Sequence, residues 1–331
     1  MKIKSLYFIL LSLLVSINSI SQNNERKFKI HTLAFYNLEN LFDTINDTNK
    51  NDEASPIMEI KYNRGKIYKK KISNMARVIS EIGYDVTNRP PTIIGICEVE
   101  NRKVVEDLIA NEKLSNHNYG IVHYDSPDRR GIDVGLLYNK DIFEILNSNS
   151  HELYITYNNT NDRSYTRDQL VVSGKLDGEL IHLIVNHWPS RGADETKRIA
   201  AAEVNNSIID SLRGIYKNPK IITMGDFNDD PFDKSIKKIL GAKKEINDVG
   251  KNDLYNPFEK ILVEQGIGTN AYRDKWQLFD QIILSKEFLK KDYSDYQLYK
   301  AGVFNKSYLI NNKGKFKGYP YRSFSYGTFT G

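Results

Sequence analysis

The feature that most constrains the fold is a series of short apolar segments, each of which ends in polar side chains. The segment from residue 221, IITMGDFNDDP, has the composition of a buried strand in its first half and polar residues in its second half. Segments that begin near residues 28, 92 and 179 follow the same pattern. The polar residues at these four strand ends are Asn37, Glu98, Asn186, His187, Asp226 and Asn228. Their recurrence predicts one shared site along one edge of the fold.

Each of these residues also has an ordinary structural interpretation. Asp226 and Asn228 could cap the helix that follows them, because short polar side chains bind the free N–H groups at helix starts. Glu98 could begin the helix predicted over residues 101–111. His187 could be a half-buried histidine with satisfied hydrogen bonds. The coincidence across four strands favours the shared site.

The chain as a whole alternates strands and helices, without internal repeats or a long flexible linker. Predicted strands cover residues 28–37, 92–98, 133–138, 169–176, 179–186, 221–225 and 278–285. Predicted helices cover residues 66–82, 101–111 and 194–213, the first of them with amphipathic spacing. Asn-rich stretches at 44–56 and 147–164 are expected to be surface loops, and Lys69, Lys70 and Lys71 to form a solvated helix face.

The first residues have the pattern of a secretory signal peptide. A basic start with Lys2 and Lys4 precedes an apolar run, and small residues close the segment. A membrane anchor is the weaker alternative, because the apolar run is shorter than the roughly 20 residues that span a bilayer. We expect removal of residues 1–21. Residues 22–331 would then form a secreted or periplasmic monomer without a stable membrane anchor.

Cysteine usage and charge narrow the class of protein further. Cys97 is the single cysteine of the sequence, so the chain forms no internal disulfide and its stability must come from the core. The formal net charge is +5, and removal of Lys2 and Lys4 leaves 5 − 2 = +3. This mild excess suits phosphate-bearing partners, but it is far from the basic signature of a dedicated nucleic-acid binder.

Seven motifs together resemble the endonuclease/exonuclease/phosphatase superfamily, which includes deoxyribonuclease I. In sequence order they are FYNLENLF, ICEVEN, RRGIDVGLLY, TRDQLVVSGKL, VNHWPSR, GDFND and FDQIILS, and the resemblance spans residues 28–330. It implies an α+β fold, a four-layered α/β/β/α sandwich. In that fold two packed, mostly antiparallel sheets are flanked by helices, and the active site lies along one edge.

The resemblance also implies chemical roles. Glu98 is the expected principal ligand of Mg²⁺ or Mn²⁺, with Asn37 beside it. Asp226 would position and polarise the attacking water, and Asn228 would orient that water or the phosphate. His187 would contact the scissile phosphate or assist the leaving group.

The resemblance also implies supporting roles for residues outside this set. Arg167 matches the place of a phosphate-binding arginine in the family, and Asn186 would support the neighbouring catalytic histidine. Asp133 could orient His187 from a neighbouring strand, or it could form an ion pair with an arginine, and both interpretations are open. Asp229 and Asp230 are interpreted as turn residues rather than metal ligands.

The carboxyl end of the sequence departs from the family pattern. Members finish with a Ser-Asp-His triplet and a strand, and an aspartate at the position of Asp280 holds that histidine. Asp280 is present, but no histidine follows His187. One expectation is that the chain stops before this tail, so that the C-terminal strand is missing. The alternative is that the protein naturally lacks both the Asp-His pair and the strand. In either case we expect the 331-residue chain to have little activity. The aromatic residues between 319 and 329 would lead into the missing strand.

Two classes of function fit the sequence. The first is a secreted metal-dependent phosphoesterase, with a nuclease leading because the signal peptide, mild positive charge and the pair Arg129 and Arg130 suit that role. A phosphatase or a sphingomyelinase-like phosphodiesterase is the alternative substrate class, although no apolar hairpin for membrane docking is evident. The second class is an inactive domain that binds metal and phosphate without turnover.

Overall fold

The computed structural model describes residues 28–157, 160, 162–325 and 327–331. Residues 31–331 form one compact unit, and residues 28–30, the described end of the preceding unit, have no regular secondary structure. The predicted signal peptide, residues 1–21, lies outside the described residues. Across the described ranges, no helix is both long and apolar enough to cross a membrane.

Short strands and a few longer helices make up the described chain. The strands are β1 Leu33–Leu41, β2 Ile93–Val99, β3 Tyr119–His123, β4 Asp133–Asn139, β5 Phe143–His151, β6 Ile155–Thr156, β7 Arg163–Ser164, β8 Gln169–Leu176, β9 Glu179–His187, β10 Ile221–Asp226, β11 Ala242–Lys243, β12 Leu254–Tyr255, β13 Asn270–Tyr272, β14 Lys275–Gln277, β15 Asp280–Ser285, β16 Phe324–Ser325 and β17 Thr328–Phe329. The main helices are α1 Arg64–Glu81, α2 Arg102–Ile109, α3 Glu195–Ile215 and α4 Phe258–Gln265. Single helical turns cover Asp52–Ala54, Tyr84–Thr87, Ser115–His117, Ser235–Ile239, Ile246–Asp248, Lys286–Leu289 and Ser307–Leu309.

The described strands build two large sheets. The first has the order β1-β2-β4-β3, with β1 parallel to β2 and the other neighbours antiparallel. The second has the order β11-β12-β15-β10-β9-β8-β5. In it β10 runs parallel to β9 and β11 parallel to β12, while the other neighbours are antiparallel. The prediction of two mostly antiparallel sheets is confirmed.

Packing of these elements produces four layers. The inner faces of the two sheets share one apolar core, in which Cys97 of the first sheet and Met224 of the second are fully buried. Helices α1 and α2 cover the outer face of the first sheet through side chains such as Ile79. Helix α3 covers the outer face of the second sheet through side chains such as Ile209. The predicted α/β/β/α sandwich is therefore confirmed.

One predicted surface loop contains regular structure. The sequence predicts a loop over residues 147–164, whereas β5 continues to His151 and β6 pairs with β7 in a short hairpin. Strand β5 lies at the edge of its sheet and hydrogen-bonds to β8 on one side. An edge strand needs little apolar surface, so an Asn- and Ser-rich strand carries little sequence signal.

The aromatic region at 319–329 forms a hairpin rather than the predicted approach to a sheet strand. Strands β16 and β17 pair antiparallel, with Phe324 opposite Phe329. Just before the hairpin, the backbone N–H of Ser323 donates to Glu39 Oε2 at 2.6 Å. This contact attaches the hairpin to the segment that follows Asn37.

Candidate active site

Three ionisable side chains lie in a row across the second sheet. Asp226, the last residue of β10, pairs in register with His187 at the end of β9 and with Asp280 at the start of β15. Paired residues on neighbouring strands direct their side chains to the same face. Three of the predicted site residues therefore come together, although they lie far apart in the sequence.

The first sheet contributes Asn37 and Glu98 to the same place. The Nδ2 of Asn37 donates to Glu98 Oε1 and to Asp226 Oδ2, both at 3.0 Å. The Nε2 of His187 lies 4.0 Å from each of these two carboxylate oxygens. The cluster thus contains residues from both sheets.

Asn228 acts on this cluster through its backbone. Its N–H donates to Asp226 Oδ1 at 3.0 Å, and its side-chain Nδ2 donates to the carbonyl of Trp188 at 3.0 Å. The N–H of Trp188 in turn donates to the Asp226 carbonyl at 2.9 Å. The segments after β9 and β10 therefore fix one another, and they hold Asp226 in one orientation. The predicted contact of Asn228 with water or phosphate stays a prediction.

Four residues around the cluster have an unfavourable backbone conformation. Glu39, Asn40, Glu98 and Asn228 all have left-handed backbone, with φ of 49°, 57°, 58° and 51°. This region is costly for residues other than glycine, and strained residues of this kind gather at functional sites. The left-handed turn at Asn40 lets its N–H donate to Glu98 Oε2 at 2.8 Å. Both oxygens of Glu98 are thereby held by hydrogen bonds.

Lys71 lies beneath this strained turn, and its prediction as part of a solvated face is wrong. Its side chain is 0% exposed, while the neighbouring Lys69 and Lys70 are exposed. The Nζ donates to the carbonyl of Asn40 at 2.9 Å and also to the carbonyl of Glu39. Burial lowers the pKa of Lys71 to about 8. Consecutive lysines on a helix have the sequence pattern of a solvated face. The prediction failed because the carbonyls that bind Lys71 come from a segment distant in sequence.

Crowding of acids shapes the electrostatics of the row. Burial and the nearby Glu98 raise the pKa of Asp226 to about 6. Burial and the neighbouring Asp226 raise the pKa of Asp280 to about 8. Burial, together with Arg167 and Arg130, lowers the pKa of His187 well below its usual value, so that its imidazole is neutral. Such opposed shifts in adjacent groups are typical of reactive sites.

The donor set fits a hard divalent cation. Glu98, His187 and Asp226 each offer one atom, and these atoms lie within 4.8 Å of one another. Carboxylate oxygens are the ligands that such cations prefer. Among the described residues, Asp280 Oδ1 is buried without a hydrogen-bond partner, so the row has acceptor capacity that the protein does not satisfy. The Oδ1 of Asn37 accepts from the N–H of Glu39 at 2.7 Å, which leaves its Nδ2 facing the carboxylates.

Arg167 is buried behind the row rather than open to solvent. Its Nε donates to the carbonyl of His187 at 3.1 Å, and it also donates to the carbonyl of Trp188. Its Nη1 forms an ion pair with the buried Asp128 at 3.2 Å. In this arrangement Arg167 holds the backbone that carries His187, and its predicted contact with phosphate stays a prediction.

Asn186 points to the opposite face of β9 from His187, as strand alternation requires. Its Nδ2 donates to Thr223 Oγ1 at 2.9 Å, and its Oδ1 accepts from Trp188 Nε1 at 3.1 Å and from Asn205 Nδ2 at 2.9 Å. Its polar atoms are therefore occupied under helix α3. The predicted support of His187 by Asn186 stays a prediction.

Asp133 contacts neither His187 nor an arginine in the described chain. Its Oδ1 accepts from the N–H and Oγ of Ser126 at 2.8 and 2.6 Å, and its Oδ2 lies 3.1 Å from His123 Nε2. His123, Asp125 and Asp133 also form a second group of potential metal ligands. His123 and Asp133 belong to an internal hydrogen-bond network with Ser126, and the exposed Asp125 carboxylate lies 3.9 Å from His123 Nδ1.

The two aspartates after Asn228 bind arginines. Asp229 Oδ1 accepts from Arg198 Nε at 2.7 Å, and Asp230 Oδ2 accepts from Arg191 Nη1 at 3.0 Å. Asp230 Oδ1 also accepts from the N–H of Leu278 at 2.8 Å, just before β15. These contacts anchor the turn after β10 to helix α3 and to the strand that carries Asp280.

Sequence reasoning missed four residues that shape the site, namely Glu39, Asn40, Lys71 and Asp128. Glu39 and Asn40 fall inside the quoted motif FYNLENLF, where the chain departs from strand pairing between Asn37 and Leu41. Two consecutive polar residues inside an otherwise apolar strand were the available signal for that turn. Lys71 and Asp128 act through contacts distant in sequence, for which a single sequence carries no signal.

Comparisons with known proteins agree with this architecture. A family model described as "Endonuclease/Exonuclease/phosphatase family" matches residues 32–331. No curated protein matches the sequence. Among solved structures, ANGEL2, described as a 2′,3′-cyclic phosphatase, is 14% identical with a TM-score of 0.53, over 78% of this chain and 83% of that one. This likeness supports the fold.

Two further solved structures show weaker overall agreement. A mannosyl-6-phosphatase of Bacteroides thetaiotaomicron is 18% identical with a TM-score of 0.49, over 76% of this chain and 84% of that one. The human Nocturnin catalytic domain is 17% identical with a TM-score of 0.45, over 65% of this chain and 75% of that one. Because the family model covers nearly the whole described chain, the chain belongs to the endonuclease/exonuclease/phosphatase family, whose members are phosphoesterase hydrolases.

Proposed function

We propose that the protein is a secreted, Mg²⁺- or Mn²⁺-dependent phosphodiesterase that hydrolyses nucleic acid. The observation that carries this proposal is the convergence of Glu98, Asp226 and His187 from both sheets to within 4.8 Å. Hydrolysis of a phosphodiester needs neutralisation of the phosphate oxygens, a base for water and help for the leaving oxygen. The cluster offers one group for each of these needs.

Glu98 would hold the cation, because both of its oxygens are already oriented by Asn37 and by the N–H of Asn40. When bound, the cation supplies positive charge to the phosphate oxygens and acidifies water. Asp226, fixed by Asn228 and Asn37, would accept the proton of the attacking water at its carboxylate.

His187 would act on the phosphate or the leaving oxygen. Its Nε2 faces the two carboxylates at 4.0 Å, and Arg167 fixes its backbone. Its Nδ1 is buried and has no hydrogen-bond partner among the described residues. Nε2 is therefore the ring atom that faces Glu98 and Asp226, and it is the atom available to a bound phosphate.

The choice of nucleic acid rests on charge near the site. Arg130 is exposed, and it is close enough to His187 to hold the pKa of that histidine down. The preceding residue, Arg129, is also exposed, and its guanidinium lies over the ring of Tyr165. Cations in this position would bind the phosphates that flank a scissile bond in a polynucleotide. Other phosphate esters, such as inositol phosphates and sphingomyelin, are the alternative substrates.

The experiment that tests this proposal compares hydrolysis of single-stranded DNA, RNA, sphingomyelin, inositol phosphates and bis(p-nitrophenyl) phosphate, each with Mg²⁺, Mn²⁺ or EDTA. We expect metal-dependent cleavage of the polynucleotides and of the small diester, at a low rate because no histidine follows His187. In parallel, calorimetry measures Mn²⁺ affinity in Glu98→Gln and in the control Glu106→Gln, whose carboxylate lies exposed on α2. We expect Glu98→Gln to weaken Mn²⁺ binding at least about 10-fold and the control to bind as wild type.

The outcomes distinguish the proposed function from its alternatives. Equal Mn²⁺ affinity in Glu98→Gln and wild type overturns the assignment of the metal ligand. Normal metal binding without cleavage of any ester favours the alternative of a domain that binds metal and phosphate without turnover. Cleavage confined to inositol phosphates or sphingomyelin overturns the choice of nucleic acid.

Export rests on the amino-terminal pattern of residues 1–21. We propose that the mature chain begins at Gln22. Amino-terminal sequencing of the protein recovered outside the cytoplasm tests this directly. Recovery of the chain in the cytoplasm with Met1 intact contradicts it.

A further inference from the structure

A row of alternating aromatic and cationic side chains lies at the hairpin of β6 and β7, and its last member, Arg129, comes from the segment before β4. The guanidinium of Arg163 lies over the rings of Tyr154 and Tyr165, at 5.1 and 4.7 Å from their centroids. The guanidinium of Arg129 lies over the Tyr165 ring at 5.0 Å. These four residues, Tyr154, Arg163, Tyr165 and Arg129, are called the tyrosine–arginine row below.

The local fold keeps these rings at the surface. Side chains alternate along a strand, so Leu153 and Ile155 point into the core under α3 while Tyr154 points outward. Tyr154 is 60% exposed and Tyr165 is 41% exposed. Large aromatic side chains held outward beside cations form a surface suited to a ligand with flat rings and negative charge.

The tyrosine–arginine row is connected to the active site through neighbouring residues. Tyr165 precedes Arg167 by two residues, and Arg167 donates to the carbonyl of His187. Arg129 at the other end of the row precedes Arg130, whose side chain pairs with Asp128, the partner of Arg167. A polymer bound along the tyrosine–arginine row would therefore continue toward His187, Asp226 and Asp280, which are called the carboxylate row below.

The charge of the surface favours an anionic polymer. Arg129 and Arg130 are exposed, and Lys197 lies over the ring of Tyr157 at 4.5 Å, next to the same hairpin. Arg163 is also paired with Glu152, whose exposed carboxylate a phosphate can replace as partner. Proteins that bind single strands combine such a cationic track with aromatic rings on which successive bases stack.

We propose that the tyrosine–arginine row is a binding platform for single-stranded nucleic acid, with bases stacked on Tyr154 and Tyr165 and phosphates bound by Arg129 and Arg163. This inference rests on the proposed function, because it names the form of nucleic acid that reaches the carboxylate row. A duplex keeps its bases paired inside the helix, so its bases cannot stack on the two rings. Single strands therefore bind more tightly than duplexes of equal length.

The test measures binding without hydrolysis. Fluorescence anisotropy in EDTA gives the dissociation constant of a labelled oligothymidylate of about 12 nucleotides, a length within the reach of one binding domain. We expect Tyr165→Leu and Tyr154→Leu each to raise this constant about 10-fold, the loss typical for one stacked base. Arg129→Gln weakens binding and reduces its dependence on salt. The control Tyr62→Leu, at a tyrosine that is 79% exposed outside the row, leaves the constant unchanged.

The outcomes keep this platform distinct from the proposed reaction. Unchanged affinity in both tyrosine variants, or equal affinity for a duplex, overturns the platform even where the wild type hydrolyses esters. Loss of affinity in the two tyrosine variants supports the platform even where no ester is cleaved. Preferential binding of a neutral oligosaccharide, unaffected by Arg129→Gln, also overturns it. Thermal unfolding checks that each variant is folded, and the two tyrosines provide independent tests.

Discussion

Lys71 donates a hydrogen bond from Nζ to the main-chain carbonyl of Asn40 at 2.9 Å, while the N–H of Asn40 donates to Glu98 Oε2 at 2.8 Å. A buried cation on one helix is thus connected through a single residue to the expected metal ligand. We expect Lys71→Met to loosen the left-handed turn, because two carbonyls lose their donor. Calorimetry should show Mn²⁺ affinity reduced about 10-fold, as for other residues that orient a ligand.

The same Lys71→Met variant should also lower the free energy of unfolding by about 1–3 kcal/mol, since buried carbonyls without a donor are costly. Lys69→Met is the matched control, because Lys69 lies exposed on the same helix. Its metal affinity and stability should equal those of the wild type. Lower stability of Lys71→Met with unchanged Mn²⁺ affinity would show that Lys71 supports the fold but not the metal ligand.

Asp226→Asn should lower kcat by about 10²–10⁴ and leave KM nearly unchanged, because removal of the base affects the transition state more than substrate binding. The amide keeps the shape of the side chain, so the fold should persist. Steady-state kinetics on bis(p-nitrophenyl) phosphate give both constants. Asp210→Asn, an exposed position on α3, serves as control. A rise in KM with unchanged kcat would instead assign Asp226 to substrate binding.

Asp128→Asn should destabilise the protein strongly. Asp128 is the ion-pair partner of the buried Arg167, and loss of one partner of a buried pair costs about 3–5 kcal/mol. Urea denaturation measures this change in the free energy of unfolding. Arg130→Gln removes the half-exposed partner of the same carboxylate, and its cost should stay below about 1 kcal/mol. Equal costs for the two variants would contradict the dominant role of the Arg167 pair.

Stability should depend on pH through His182. Burial lowers the pKa of this histidine to about 4, below its usual value of 6.5. Between these values the unfolded chain binds a proton at His182 and the folded chain does not. The free energy of unfolding is therefore highest above about pH 6.5 and falls as the pH is lowered toward 4. The loss amounts to about 3 kcal/mol. Urea unfolding of His182→Gln across this range should give a flatter profile than the wild type, and parallel profiles would contradict the assignment.

The fold was largely predictable because its strands carry continuous apolar runs with polar ends. The runs before Glu98 and Asp226 are of this kind. They form β2 and β10, which belong to different sheets and pack against each other in the shared core. Strand β5 escaped prediction because an edge strand can be built from asparagine and serine. Burial on one side only leaves too few apolar residues to produce a strand pattern.

The site was predictable where a residue terminates a strand, and less so where a contact crosses elements. Strand register carries His187, Asp226 and Asp280 to one face, and the motifs contain all three. The environment of Arg167 was not evident, because its partner Asp128 lies on a loop that its own motif does not include. Lys71 was misassigned for the same reason, since helical spacing alone does not reveal the carbonyls that surround its Nζ.

The left-handed residues around Glu98 have a consequence for selection experiments on this protein. Each of Glu39, Asn40, Glu98 and Asn228 has a backbone conformation that glycine adopts without strain. A library selected only for survival at high temperature should therefore be enriched in glycine at these positions, because relief of strain raises stability. Glycine removes the Glu98 carboxylate outright and loosens the turn at Asn40. Heat tolerance and metal binding would then evolve in opposite directions at these four positions.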